Sequence, residues 1–227
     1  MKLLKSILTT AIALLSLNVS ALPITATTGS DFTVDFDSIG GTPVAAVDGL
    51  SASARFYDFA FGYDQLLNKT TLTFDFDLRN TSTLPILTSR VTTLGFLTTP
   101  NVILGDSSVS GIFDKVDSGN VPNQGVVEFC FSGVNCAGGG NGGVALGSTA
   151  TGFATLAFLG DFSSINFDDF TVRYQSVTCL NEYTVNGGNC PGSASGGPVT
   201  NVPEPGIVAL IAVGLLGMSA VRRKKTS

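Results

Sequence analysis

Apolar residues occupy every second position of Thr71-Leu72-Thr73-Phe74-Asp75-Phe76-Asp77-Leu78-Arg79, with Thr, Asp and Arg between them. A period of two puts Leu72, Phe74, Phe76 and Leu78 on one face of an extended chain and the polar residues on the other. The same alternation runs through Phe32-Thr33-Val34-Asp35-Phe36-Asp37 and Phe170-Thr171-Val172-Arg173-Tyr174-Gln175. All three predict half-buried antiparallel strands. Further strands are expected at Arg55 to Phe61, Arg90 to Leu97, Val126 to Phe131 and Gly152 to Leu159, separated by turns rich in Gly, Asn, Asp and Ser. No amphipathic helix is evident between residues 22 and 200. The pattern therefore predicts an all-β fold, a single antiparallel β-sandwich or jelly-roll-like domain, because a parallel sheet would need helical crossovers. Sixteen phenylalanines and no tryptophan supply a bulky apolar core.

Hydropathy at the two ends departs from this pattern. Met1 to Lys5 carries two lysines, Ile7 to Leu17 is apolar, and Val19-Ser20-Ala21 offers small residues where a signal peptidase reads. Residues 1–21 thus read as a signal peptide cleaved between Ala21 and Leu22, the apolar run being short for a retained anchor. At the other end, Val202-Pro203-Glu204-Pro205 leads into the apolar run Gly206 to Val221, and Arg222-Arg223-Lys224-Lys225 follows at once. As a helix, residues 206–221 span roughly 24 Å, short of the hydrocarbon core but workable as a transmembrane segment with snorkelling flanks. The four cations act as a basic stop on the cytoplasmic side, leaving everything before them outside. Pro203, Glu204 and Pro205 cannot continue a helix, which leaves an extended peptide at the membrane surface. A plain C-terminal anchor is the alternative reading.

These features, in this order and place, resemble the PEP-CTERM sorting signal, a short domain also called the ice-binding protein C-terminal domain. Through Ser89-Arg90-Val91-Thr92, the Cys130 to Gly143 stretch and Val172 to Ser176, the body more loosely resembles the cistern subgroup of such proteins. The resemblance implies a substrate of exosortase, a membrane transpeptidase-like enzyme of Gram-negative bacteria that make exopolysaccharide. It implies an inner-membrane-anchored intermediate with the body in the periplasm, then delivery to the cell surface or extracellular matrix.

Charge divides along the same boundaries. Between residues 22 and 205, six cations face all seventeen acidic residues, a formal net charge of −11 beneath a whole-chain value of −5. Nucleic acid is excluded as a partner, since its binding needs cations to neutralise phosphates. Residues 22–186 suffice for one domain. From 187 to 201 the chain is rich in Gly, Ser, Pro and Asn and reads as a flexible linker, with 202–227 as the sorting tail.

The chain has no histidine, which removes Ser-His-Asp triads, Cys-His dyads and histidine metal sites. Four cysteines in an exported chain imply disulfides and allow three connectivities; local pairing, Cys130 with Cys136 and Cys179 with Cys190, is the preferred one. Their spacers do not suit a zinc site. Gly138 to Gly143 reads as a flexible loop. No cofactor is required, and calcium on Asp35, Asp37, Asp168 and Asp169 is the most defensible ligand idea, if the terminal strands are neighbours. Turns and solvated strand faces explain the same aspartates. The sequence points to an exported noncatalytic surface or matrix protein associated with exopolysaccharide. The alternatives are a secreted glycan- or calcium-binding module and, more remotely, a carboxylate glycoside hydrolase built on Glu128 or Asp168.

Overall fold

A computed structural model describes residues 23–39, 46–139, 142–180 and 190–199 of the chain. Among them are twelve strands: β1 (Ile24–Thr27), β2 (Phe32–Ile39), β3 (Ser51–Asp64), β4 (Lys69–Asn80), β5 (Ile86–Thr99), β6 (Ser108–Gly111), β7 (Lys115–Val121), β8 (Gly125–Ser132), β9 (Val144–Ala145), β10 (Thr149–Leu159), β11 (Ser164–Cys179) and β12 (Ser193–Pro198). A single 3-10 turn, Leu104–Asp106, precedes β6.

All seven strands expected from alternation are present, and every pairing is antiparallel. The arrangement differs from a sandwich. Hydrogen bonds run without interruption through one sheet in the order β6-β10-β4-β3-β2-β12-β11-β5-β8-β7, with β1 and β9 attached to β11 and β5. The outer strands β6 and β7 follow one another in sequence, so the sheet curls until it is nearly closed into a barrel. Bulges supply curvature. Asp58, at φ 57°, interrupts the β3–β4 ladder between Tyr57 and Ala60, and Asp169, at φ 46°, interrupts β11–β5 between Asp168 and Thr171. The first bulge also resets the side-chain phase, so Phe56 and Phe59, three residues apart, both point inward.

Phenylalanine fills the interior. Phe36, Phe56, Phe74, Phe76, Phe96, Phe129, Phe131 and Phe167 are fully buried, and Leu72 and Leu78 share their face as the alternation predicts. Ring pairs join neighbouring strands, as in Phe96–Phe129, 4.4 Å apart and edge-on across the β5–β8 ladder, and strands distant in the sheet order, as in Phe76–Phe131 of β4 and β8, 5.4 Å apart and stacked. A smaller cluster of Val121, Val127, Cys130 and Cys136 lies apart from this core.

The expected flexible linker, 187–201, is corrected by β12. Ser193 to Pro198 inserts between β11 and β2, with Val172 opposite Gly196 and Asp37 opposite Gly197. The physical reason is space. A Cβ on Gly196 would lie 2.8 Å from the Asp37 carbonyl oxygen and 2.9 Å from the Tyr174 ring. Small residues here mark a tight seat, which composition alone cannot distinguish from a tether. Gly143 is likewise pressed against β5, where its Cβ would meet the Val91 carbonyl at 2.5 Å, so that end of the expected 138–143 loop is packed.

Candidate functional site

The residues that carry the sorting reading lie outside the described residues: Pro203, Glu204 and Pro205, the apolar run 206–221, the basic stop Arg222, Arg223, Lys224 and Lys225, and the Ala21–Leu22 cleavage point. Their points of attachment are described. β1 pairs with Ser164 to Phe167 of β11, and β12 pairs with Val172 to Gln175 of the same strand. β5 occupies the other edge of β11, so β1 and β12 lie end to end along one edge. The chain enters the barrel at Pro23 and leaves it at Val199 over the same short stretch, Asp168 to Thr171.

The base of the tail is held firmly. The Val199 amide donates to the Asp35 carbonyl at 2.7 Å, and the Thr171 hydroxyl donates to the Gly196 carbonyl at 3.2 Å. Arg173 reaches across from β11, its Nη1 donating to Ser195 Oγ at 3.1 Å and its Nη2 to Ser193 Oγ at 2.7 Å. Ser195 in turn donates to the Pro122 carbonyl. The Cys179–Cys190 disulfide closes the β11–β12 connection, and Cys130–Cys136 closes the segment after β8, the local pairing preferred from sequence. The barrel's pairing therefore extends to Val199, four residues before Pro203.

Sequence alternation correctly puts Arg173 on the face opposite Val172 and Tyr174, yet Arg173 is only 8 % exposed. The chain around Pro122 and Gly138 covers that face. Burial lowers the Arg173 pKa from its ordinary range, no carboxylate among the described residues pairs with it, and its Nε has no partner. Nothing in the local sequence signals this cover, which is made by Pro122 and Gly138, far upstream in the chain. Tyr174 is fully buried, and desolvation followed by the Asp37 charge pushes its hydroxyl pKa far upward.

The calcium candidates are not brought together. Asp35 and Asp37 lie on β2 and Asp168 and Asp169 on β11, with β12 between those strands in the sheet order. The expectation that the terminal strands adjoin fails because β12 takes the position between them. Asp168 accepts from the Asp169 amide at 2.8 Å, and no group of three or more potential ligands occurs among the described residues. Glu128 uses both carboxylate oxygens on backbone donors, Thr98 N–H at 3.3 Å and Val102 N–H at 3.1 Å, fixing the chain after β5. A pocket of about 220 Å³ lies beside the tail exit, where Leu97, Val127, Phe170 and Pro198 surround the polar groups of Gln124 and Asp169.

Residues 201–224 match the family model of the PEP-CTERM protein-sorting motif. No curated protein matches the chain, and no solved structure does. The motif is an exosortase recognition signal. It marks an exported protein, sorted through its C-terminal tail by way of a membrane-anchored intermediate.

Proposed function

We propose that the chain is a noncatalytic surface or matrix protein, delivered by tail processing into an exopolysaccharide layer. The carrying observation is the sorting motif, which begins two residues after Val199, beyond a barrel whose last strand is locked into the sheet. Such a body withstands handling by its tail, because load at Val199 passes into the β11 and β2 ladders. Glu128 supports a structural use of its carboxylate, since both oxygens already hold backbone amides. Residues 1–21 serve as the signal peptide read by signal peptidase, and 206–221 as the membrane segment of the intermediate. Mass spectrometry of the exported product, with both terminal peptides sequenced, is the test. A start at Leu22 and an end upstream of Gly206 are expected; a product that keeps residues 206–227 leaves a plain anchor instead.

The pocket at the tail exit favours a second reading, a glycan-binding module. Apolar side chains with an amide and a carboxylate among them are the mixture that small polar ligands require. Glycan-array binding with and without chelator separates the readings. Saturable binding selects the module, chelator sensitivity adds calcium, and no binding leaves the matrix role. A hydrolase would need Glu128→Gln or Asp168→Asn to abolish polysaccharide cleavage.

A further inference from the structure

The β3–β4 hairpin ends in Asp64-Gln65-Leu66-Leu67-Asn68, and its leucines face outward: Leu66 is 97 % exposed and Leu67 60 %. Leu159, at the neighbouring end of β10, is 68 % exposed, and Tyr63 adds an amphipathic ring. Four large apolar side chains thus crown one tip of the barrel. The tip is ordered by its polar residues. Asp64 Oδ1 accepts the amides of Leu66 at 2.9 Å and Leu67 at 3.2 Å, and the Tyr63 hydroxyl donates to Asn68 Oδ1 at 2.9 Å. The Asn68 carbonyl accepts the Gly160 amide at 2.8 Å. With those donors satisfied inside the turn, the leucines can enter an apolar medium without stranding their amides.

The strand register says what covers the tip. β12 runs antiparallel to β2, and β2 antiparallel to β3, so the chain leaves Val199 heading toward the end of the barrel where this hairpin lies. Pro198 is level with Phe36 and through it with Ala52, and Leu66 lies fourteen residues further along the hairpin. At strand rise, and allowing for a barrel tilt near 40°, the tip stands roughly 30 Å beyond the tail exit. The free chain from Val199 to Pro205 reaches at most about 25 Å fully extended. A body whose tail enters a bilayer at Gly206 therefore cannot hold this tip clear of the surface by standing upright.

We propose that the hairpin tip of Tyr63, Leu66, Leu67 and Leu159 inserts into the outer leaflet, seating the intermediate on the bilayer. The seat rests on the reading of 206–221 as a membrane segment. Around the tip, Asp64, Asp106 and Asp161 outnumber Lys69, which itself pairs with Asp106 at 3.2 Å. The surface fits zwitterionic headgroups, and added anionic lipid weakens the contact. Tyr63 suits the headgroup boundary, as aromatic residues with a polar end do.

The chain has no tryptophan, so a single introduced one reports its surroundings without background. Leu66→Trp, Leu87→Trp and Leu215→Trp are made in the chain from Leu22 to Ser227, before tail processing, and reconstituted in phosphatidylcholine vesicles with brominated acyl chains. Leu87 belongs to a second exposed apolar group, with Leu84 and Leu180, at the opposite end of the barrel, and controls for exposed leucine as such. Quenching and a blue shift are expected for Leu66→Trp and Leu215→Trp, with Leu87→Trp remaining as in water. Quenching of Leu215→Trp with a water-like Leu66→Trp overturns the seat alone. An unquenched Leu215→Trp overturns the membrane reading of the tail and the seat with it. A concentration-dependent blue shift of Leu66→Trp without lipid identifies a second copy as the occupant and also overturns the seat.

Discussion

Replacing Gly196 by alanine tests whether Ser193 to Pro198 belongs to the barrel or to a tether. A Cβ at this position would lie 2.8 Å from the Asp37 carbonyl oxygen, 2.9 Å from Cε2 of Tyr174 and 3.0 Å from Cγ2 of Val172. Tyr174 and Val172 are fully buried, and the Asp37 backbone belongs to the β12–β2 ladder, so each neighbour resists displacement. Overpacking of this kind costs about 1–3 kcal/mol. Alanine also narrows the unfolded ensemble, which returns about 0.4–1 kcal/mol where the native conformation tolerates it. A net loss of about 1.3 kcal/mol corresponds to a fall of about 3–5 °C in melting temperature for a body of this size. Gly192, one residue before β12, has nothing within 4 Å of its Cβ position, and Gly192→Ala should stay within about 0.5 kcal/mol of the parent. Thermal unfolding of the oxidised protein by circular dichroism supplies the comparison, and amide exchange at Ser195 and Gly197 reports whether β12 alone has loosened. Equal melting of the two variants and the parent would refute the seat and restore 187–201 as a linker.

Other consequences concern the staples and the charges. Removing Cys179–Cys190, eleven positions apart, as a Cys→Ser pair should cost about 3 kcal/mol, and removing Cys130–Cys136, six apart, about 2 kcal/mol, read from oxidised melts against the parent. The bidentate hydrogen bond from Arg55 holds the Asp31 carboxyl below the ordinary aspartate range. Because the folded value is the lower one, this pair's contribution is present above the unfolded value and disappears as pH falls through the folded value. Arg55→Gln should move the Asp31 carboxyl titration, followed by NMR, upward. Arg173→Met, which removes a buried cation with no carboxylate among the described residues, should leave stability unchanged or raised in denaturant titrations. Ser195→Ala, which strands Nη1 of that cation, should cost about 2 kcal/mol in the same assay.

The body's strands were readable because alternation is local. Leu72, Phe74, Phe76 and Leu78 declare their face within nine residues, and each of them is fully buried. Alternation failed where side chains were too small or too polar to show a face. β7, Lys115–Val121, and β12, Ser193–Pro198, both pair in the sheet without an apolar stripe. Nor could the expected site be assembled from spacing. Asp35 and Asp37 approach Asp168 and Asp169 in the sheet only as far as β12 allows.

By itself the sequence determined the strand type, the inward phenylalanines, the local disulfide partners and the C-terminal sorting motif, each a property of neighbouring residues. The tertiary structure decided the rest, because register, closure and cover depend on residues far apart in the chain. Bulges at Asp58 and Asp169 curl one sheet into a near-barrel, where alternation alone is equally compatible with two stacked sheets. Only the packed sheet shows that Gly196 has no side chain because Tyr174 and the Asp37 backbone leave no room for one, and that Ser193 and Ser195 serve the Arg173 guanidinium. That seat carries the barrel to Val199, further along the chain than its composition alone indicates.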